Sequence, residues 1–232
     1  MKKIAIIPAR SGSKGLKDKN IIDLCGKPMM AYSIEAAINA GQFDDVVVST
    51  DSKKYGAIAK EYGANVLIRS KELANDEAST FVVIEDVLKQ VTKSYDYFML
   101  LQPTSPMRNA KHVKEAIKWF EEKCNYFDFL VSVKETEHAN ILVKPLDENY
   151  SLRYFDTDFS NYKRQNYKEY SPNGAIFIGK CKEYMEQKHF FGAKSIGYIM
   201  NAEDSIDVDT VLDYEVACLC MKRNSGDRKI KG

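Results

Sequence analysis

The chain has 232 residues, 44% hydrophobic and 29% charged, which suits one sizeable α/β domain with room for a small appendage. Its formal net charge is +1 and no apolar run reaches membrane-spanning length, so the sequence argues against nucleic-acid and membrane partners, and any basic site must be local. Five cysteines without a CxxC pair, and no secretion-signal run after Met1, indicate reduced thiols and a cytoplasmic location.

The first predicted strand, residues 4–7, leads into a loop rich in glycine, serine and cationic residues. Gly12 and Gly15 allow a close backbone approach, and Arg10 presents a planar fork that suits phosphate oxygens. The loop lacks the Walker and dinucleotide fingerprints, because Leu16 follows Gly15 and a third glycine is missing. It predicts either a phosphate site of another geometry or a solvated basic turn.

Strands and helices alternate through the first 135 residues. The predicted strands are 4–7, 45–50, 65–69, 97–101 and 129–133, and the predicted helices are 28–38, 52–63, 79–91 and 111–123. This alternation predicts an α/β fold with a doubly wound, mostly parallel sheet and right-handed crossovers. Ligands of such sheets bind beyond the carboxyl ends of the strands. The polar residues that follow strand ends are therefore expected at one rim: Arg10, Asp51, Arg69 and Gln102.

The pattern changes in residues 136–170, which are dense in aromatic and charged residues and predict a small strand-rich excursion from the core. Strands are predicted again at 175–178 and 195–200, followed by a helix at 211–221. We therefore expect a core made of residues 1–135 and 171–232.

Asp207 and Asp209 are separated by one residue in a predicted extended segment. Residues two apart on an extended chain point to the same side, so the two carboxylates would repel unless a cation lies between them. Two oxygen ligands suit Mg²⁺ shared with substrate phosphates. Capping of the last helix is the alternative for Asp209, but it explains Asp207 less well. With the basic loop, the pair predicts a nucleoside triphosphate and a metal without choosing the reaction.

Four blocks, taken together, resemble the acylneuraminate cytidylyltransferases: IPARSGSKGLKDKN, LLQPTSPMR, SPNGAIFI and DSIDVDT. The resemblance covers nearly the whole chain, in order. It implies a Rossmann-like nucleotidyltransferase in which the anomeric hydroxyl of a sialic-acid-type sugar attacks the α-phosphorus of CTP in line. The products would be a CMP-sugar and pyrophosphate, with Mg²⁺ as the cofactor and Mn²⁺ as a substitute.

The resemblance also implies roles for individual residues. The nucleotide would contact Ala9, Arg10, Ser13, Lys14, Asn20, Arg69, Ala78 and Thr80. The sugar would contact Gln102, Lys144, Arg164, Phe190 and Phe191. Asp207 and Asp209 would bind the metal, and the catalytic residues would be Arg164, Asp209 and Lys19. The proton acceptor would be Asp209 or a hydroxide on the metal.

Some positions depart from the pattern of the family. Ser171 stands where many members carry an arginine, and Ala139 replaces a proline after His138. Both departures concern the expected sugar pocket, so legionaminate, pseudaminate and Kdo stay open as alternative sugars.

The excursion at 136–170 corresponds to the dimerisation element of the family, so the resemblance implies a homodimer. Phe190 and Phe191 would reach the partner's active site, and core packing is the alternative for both. Two other classes of protein stay open: a metal-dependent glycosyltransferase with a DxD motif, and a nucleotide-binding regulatory protein without catalysis.

Overall fold

The computed structural model describes residues 1–12, 15–75, 78–163 and 168–224. Its strands are β1 Lys3–Pro8, β2 Asp23–Leu24, β3 Lys27–Pro28, β4 Asp45–Thr50, β5 Asn65–Ile68, β6 Tyr97–Leu100, β7 Phe129–Glu135, β8 Tyr170–Lys180 and β9 Ser195–Ile199. Its α-helices are α1 Met29–Ala40, α2 Lys53–Glu61, α3 Thr80–Gln90, α4 Ala110–Lys123, α5 Cys181–Gln187 and α6 Val211–Asn224. No helix in the described part of the chain is long and apolar enough to cross a membrane.

A seven-stranded sheet in the order β5-β4-β1-β6-β8-β7-β9 forms the centre of the fold, and β2 and β3 pair separately. Strand β8 runs antiparallel to both of its neighbours, and the other neighbouring strands are parallel. Ala5 and Ile7 pack with α1, α2 and α4 on one face, whereas Ile4 and Ile6 pack with α3 and α5 on the other. The predicted doubly wound, mostly parallel sheet is therefore confirmed.

Strand β1 illustrates why this chain folds with both faces of its sheet covered. Ile4, Ala5, Ile6 and Ile7 are all fully buried. Successive side chains of a strand point to opposite faces, so a continuous apolar run needs helices on both sides of the sheet. The same strand ends at the basic loop, which places that loop at the carboxyl rim of the sheet.

Two elements lie outside the predicted ones. The β2–β3 hairpin turns at Cys25 and Gly26, whose φ values are 53° and 89°, and a glycine after a short apolar residue is a weak signal for it. Helix α5 is only seven residues long and buries Tyr184 alone, so it carries too few apolar residues to produce a helical period.

The prediction of a strand-rich excursion at 136–170 is wrong for the residues described. Residues 136–163 and 168–169 contain a 3-10 turn at Asn140–Leu142 and no strand, while Tyr170 begins β8. The Asp147 carboxylate accepts hydrogen bonds from the N–H groups of Asn149 and Ser151, both 2.9 Å long. Side chains that capture local backbone donors compete with strand pairing, which explains the turns seen there.

Candidate active site

A cleft of about 590 Å³ opens at the carboxyl rim of β1, β5 and β6. Nine of the predicted site residues line it: Arg10, Lys19, Asn20, Arg69, Ala78, Thr80, Gln102, Asp207 and Asp209. These residues come from distant parts of the sequence and meet because parallel strands end at the same edge of the sheet. Of the four residues predicted at this rim from strand ends, Arg10, Arg69 and Gln102 line the cleft, whereas Asp51 does not and instead binds Ser11.

The basic loop after β1 is fixed at both ends by residues of the β4–α2 region. Asp51, which follows β4, accepts hydrogen bonds from the Ser11 backbone N–H at 2.8 Å and the Ser11 hydroxyl at 2.5 Å. Burial disfavours the charged form of Asp51, but the Ser11 hydrogen bonds outweigh it and lower the pKa of Asp51. At the far end, the Tyr55 hydroxyl donates to Asp18 at 3.0 Å. The loop thus meets a ligand with its ends already held, which reduces the entropy lost on binding.

Within this loop, Asn20 is 5% exposed and donates through Nδ2 to the Arg10 carbonyl at 2.9 Å. The Arg10 guanidinium lies 3.4 Å from the Ala74 carbonyl. Ala9 is fully buried, and its N–H donates to the Ser49 carbonyl at 2.9 Å. Ala9 therefore joins the loop to β4, whereas Arg10 and Asn20 line the cleft.

Arg69 is 4% exposed at the wall of the cleft, and its Nε and Nη1 have no hydrogen-bond partner among the described residues. Burial lowers the pKa of Arg69, and the charge of Asp51 opposes that effect. An unsatisfied buried donor costs about 1–3 kcal/mol. Acceptor oxygens of a ligand would satisfy both donors.

Helix α3 begins at the cleft. Its N-cap, Ser79, accepts a hydrogen bond from the Val82 N–H, and Thr80 is its first residue. The Asn75 side chain accepts from the Ala78 N–H at 2.8 Å, which joins Asn75 to the residue before the cap. Ala78 and Thr80 both line the cleft next to the positive end of the helix dipole.

Asp207 and Asp209 both line the cleft, with the intervening Val208 fully buried on the other side of the segment. The Asp207 Oδ1 atom is buried and has no hydrogen-bond partner in the part of the chain described. Burial raises the pKa of Asp207, and the charge of Asp209 adds to the effect, whereas a hydrogen bond from Thr104 opposes it. Asp209 is exposed and forms an ion pair with Lys19 at 2.6 Å.

Asp209 is free of the capping role considered for it. Thr210 precedes α6, and its hydroxyl accepts from the Asp213 N–H at 3.3 Å while the Asp213 carboxylate accepts from the Thr210 N–H at 2.7 Å. This reciprocal pair caps the helix. The Asp209 carboxylate is therefore available to a ligand in the cleft.

The two aspartates fit a divalent cation, because a buried carboxylate oxygen to which no described residue donates lies beside a second carboxylate at the cleft. No group of three or more His, Cys, Asp or Glu side chains suited to a metal occurs in the described ranges. Water and substrate oxygens would complete the coordination of Mg²⁺, as is usual for that ion.

Gly174, in β8, lies close to both Gln102 and Asp207. It is not among the site residues identified from the sequence. Its φ is +78°, and a Cβ atom there would lie 2.8 Å from Gln102 Oε1 and 3.5 Å from Asp207 Oδ2. A side chain at this position would therefore push on two cleft residues at once. The Asn-Gly pair in SPNGAIFI is a turn signal that marks the positive φ, but nothing in the sequence indicates the contact with Gln102.

The structure leaves the other predicted residues outside the cleft or outside the described ranges. Lys144 is exposed and does not line the cleft. Phe190 is instead a core residue, 5% exposed, because its ring packs against Phe98, Phe129, Phe177 and Tyr184. Phe191 is 50% exposed. Ser13, Lys14 and Arg164 fall outside the described residues.

Comparison with known proteins gives matches over most of the chain. Residues 4–220 match the family model described as Cytidylyltransferase. An N-acylneuraminate cytidylyltransferase of Escherichia coli O18:K1:H7 is 47% identical over 222 residues, covering 96% of this chain and 52% of that protein. The chain thus spans about half the length of that relative.

A second relative matches over its full length. A pseudaminic acid cytidylyltransferase of Campylobacter jejuni is 35% identical over 229 residues, covering 97% of this chain and 98% of that protein. Among solved structures, a CMP:2-keto-3-deoxy-manno-octonic acid synthetase complexed with CTP has a TM-score of 0.72 at 18% identity, covering 97% of this chain and all of that one. That likeness concerns the fold. The family model and the full-length relative establish that the chain belongs to the cytidylyltransferase family.

Proposed function

We propose that the chain transfers a cytidylyl group from CTP to a nine-carbon sugar of the sialic-acid type, releasing pyrophosphate. The observation that carries the proposal is the buried Oδ1 of Asp207, which has no hydrogen-bond partner among the described residues and lies at the rim that also holds Asp209, Lys19, Arg10 and Arg69. A triphosphate needs cationic donors and a divalent cation to offset its charge. The cleft offers Arg10, Lys19 and Arg69 as cationic donors, and Asp207 and Asp209 as carboxylates that would hold such a cation.

The basic loop and Arg69 would hold the nucleotide. Arg10 and Lys19 supply positive charge at the cleft, while Nε and Nη1 of Arg69, which lack a partner among the described residues, supply buried donors. Such positioning brings the α-phosphorus and the attacking hydroxyl into one geometry, which is a large part of the catalysis of phosphoryl and nucleotidyl transfer. Gln102, on the β6 side of the cleft, would contact the sugar. Thr80 and Ala78, at the start of α3, would contact the nucleotide.

Asp207 and Asp209 would hold Mg²⁺, for which Mn²⁺ is a plausible substitute. When bound, such an ion offsets the charge of the triphosphate and lowers the pKa of an attacking hydroxyl. Asp209 is exposed in the cleft, so its carboxylate can also take a proton from that hydroxyl. Lys19 donates to Asp209 at 2.6 Å and so orients this carboxylate, and its ammonium would also offset charge on the phosphates of CTP.

The sugar is the least constrained substrate. N-acetylneuraminate is favoured by the 47% identity with an N-acylneuraminate cytidylyltransferase. Pseudaminate is the second candidate, because the Campylobacter jejuni relative that matches over its whole length is a pseudaminic acid cytidylyltransferase. A legionaminate or Kdo substrate would use the same nucleotide chemistry. Family membership argues against the DxD glycosyltransferase alternative.

We further propose a cytoplasmic homodimer in which the excursion at 136–170 contacts the partner. Several large apolar side chains are exposed there: Val143, Leu146, Tyr150, Leu152 and Tyr154. A segment that exposes several large apolar side chains is typical of a protein interface. Arg164 and Lys144 would take their sugar-binding roles in that dimer, and Phe191 would extend toward the partner.

The test is pyrophosphate release with CTP and Mg²⁺ across N-acetylneuraminate, pseudaminate, N,N'-diacetyllegionaminate and Kdo. Asp209→Ala should abolish release, because it removes a metal ligand and the candidate proton acceptor. Asp128→Ala is the matched control. Asp128 also forms an ion pair with a lysine, Lys180, at 2.6 Å, but this pair lies at the end of the sheet opposite the cleft. Release with one nine-carbon sugar, lost only in the first variant, supports the proposal. Absence of release with every sugar contradicts it, and release with Kdo alone would move the assignment to the eight-carbon sugar.

A further inference from the structure

Arg108 is a charged residue buried inside the fold. Its side chain is 1% exposed, and burial lowers its pKa to about 9. Across the described ranges it forms no ion pair, and its Nη1 has no hydrogen-bond partner. Removing a guanidinium from water costs several kcal/mol unless other interactions compensate. The contacts that Arg108 does make are therefore informative.

Those contacts connect three elements of the fold. Arg108 Nη2 donates to the Ser33 hydroxyl in α1 at 2.6 Å and to the Gln102 carbonyl at 3.2 Å. Its Nε donates to the Ala175 carbonyl in β8 at 3.4 Å. A planar guanidinium can reach three acceptors in fixed directions, which a lysine ammonium on a flexible stem cannot reproduce.

The Gln102 carbonyl is the point where these interactions converge. It also accepts hydrogen bonds from the Ser33 hydroxyl at 3.2 Å and from the Ser105 N–H at 3.3 Å. Thus the Gln102 carbonyl accepts three hydrogen bonds, and two of its donors, Ser33 and Arg108, hold the Gln102 backbone close to α1.

The side chain of the same residue is confined from the other direction. Gly174, next to Ala175 in β8, lies so close to Gln102 that a Cβ atom on the glycine would be 2.8 Å from Oε1. Arg108 binds the Ala175 carbonyl as well as the Gln102 carbonyl. It therefore sets the spacing between β8 and the loop after β6, and with it the position of the Gln102 amide at the cleft.

We propose that Arg108 is a positioning residue for substrate recognition, acting through the Gln102 backbone to place the Gln102 amide against the sugar. The inference rests on the proposed function for the contact between Gln102 and the sugar. The geometric part, that Arg108 orders the 102–108 loop, is independent of the substrate.

The test compares Arg108→Met with Arg108→Lys and with Arg223→Met, a control arginine that is exposed near the end of α6. Losing the charged hydrogen bond to the Gln102 carbonyl should raise the KM for the sugar about tenfold in Arg108→Met, with the KM for CTP changed less than about twofold. The KM of Arg108→Lys for the sugar should lie between that of Arg108→Met and that of the parent chain. In a cycle with Gln102→Ala, the double variant should be no worse than Gln102→Ala alone, because Arg108 acts through that residue.

Hydrogen–deuterium exchange separates the geometric part from the function. The peptide over residues 101–108 should exchange about tenfold faster in Arg108→Met, while β1 and β4 stay protected. Unchanged exchange there would overturn the inference, as would parallel changes in both KM values or additive effects in the cycle. Faster exchange together with a silent Gln102→Ala would refute the sugar contact instead. If Arg108→Met fails to fold, Ser33→Ala removes one donor to the same carbonyl and should raise the sugar KM by about threefold.

Discussion

Replacing Asp51 by alanine tests whether the basic loop is pre-ordered by the β4–α2 region. The change removes both acceptors of Ser11, whose N–H and hydroxyl lie 2.8 and 2.5 Å from the Asp51 carboxylate. A hydrogen bond to a charged group contributes about 1.5–3 kcal/mol, but these two share one carboxylate that is half-buried. We therefore expect Asp51→Ala to lower the free energy of unfolding by about 2 kcal/mol at pH 7.

Urea denaturation measures this loss, and two variants calibrate it. Asp51→Asn can still accept from the Ser11 N–H and can donate to the Ser11 hydroxyl, so it should lose under about 1 kcal/mol. Ser11→Ala removes the hydroxyl contact alone, so its free energy of unfolding should fall by about half as much as that of Asp51→Ala. The KM for CTP should rise about tenfold in Asp51→Ala, because the loop must then be ordered by the nucleotide.

The pH dependence gives an independent check with a definite sign. The pKa of Asp51 is lowered in the folded chain. Its contribution to stability is therefore complete above the unfolded pKa, about 4, and disappears as the pH falls through the lower folded pKa. The difference in the free energy of unfolding between the parent chain and Asp51→Ala should become smaller over that acidic range. A loss below about 0.5 kcal/mol at pH 7, or a difference that does not become smaller, would refute the reasoning.

Two further variants separate stability from recognition. Gly174→Ala forces a left-handed φ of +78° on a residue with a Cβ atom and displaces Gln102 Oε1. It should therefore lower the free energy of unfolding by about 1–2 kcal/mol and raise the KM for the sugar. An unchanged KM for the sugar would contradict the placement of Gln102. Phe190→Ala should cost about 3–5 kcal/mol in thermal or urea unfolding, because it removes a buried ring from a five-membered aromatic cluster, with little change in the KM for the sugar. A large rise in that KM, with stability retained, would restore a sugar-binding role to Phe190.

The rim of the cleft could be predicted from the sequence because two local rules suffice for it. Alternating buried strands and amphipathic helices predict a parallel sheet, and the carboxyl ends of its strands meet at one edge. Arg10, Arg69 and Gln102 reach the cleft for this reason alone. The same holds for Asp207 and Asp209, whose shared orientation follows from the two-residue period of an extended segment.

The interactions that hold the rim in place could not be predicted, because they join positions far apart in sequence. Arg108 lies in the same loop as Gln102, but it binds Ser33 and Ala175, which are 75 and 67 residues away from it. Gly174 reaches Gln102 from 72 residues away through the antiparallel pairing of β8 beside β6. No local pattern marks that pairing. Similarly, the adjacent Phe190 and Phe191 point one ring into the core and leave the other half exposed, a choice that the sequence does not reveal.

The central claim is that this cleft directs attack on the α-phosphorus of CTP. The most direct test follows the ³¹P NMR spectrum of CTP incubated with the chain, Mg²⁺ and N-acetylneuraminate. We predict that the three CTP resonances are replaced by a sugar phosphodiester and free pyrophosphate in equal amounts, and that Asp207→Asn and Asp209→Ala both suppress the change. Formation of CDP and inorganic phosphate would place the attack at the γ-phosphorus and contradict the account, as would an unchanged spectrum with every nine-carbon sugar tried.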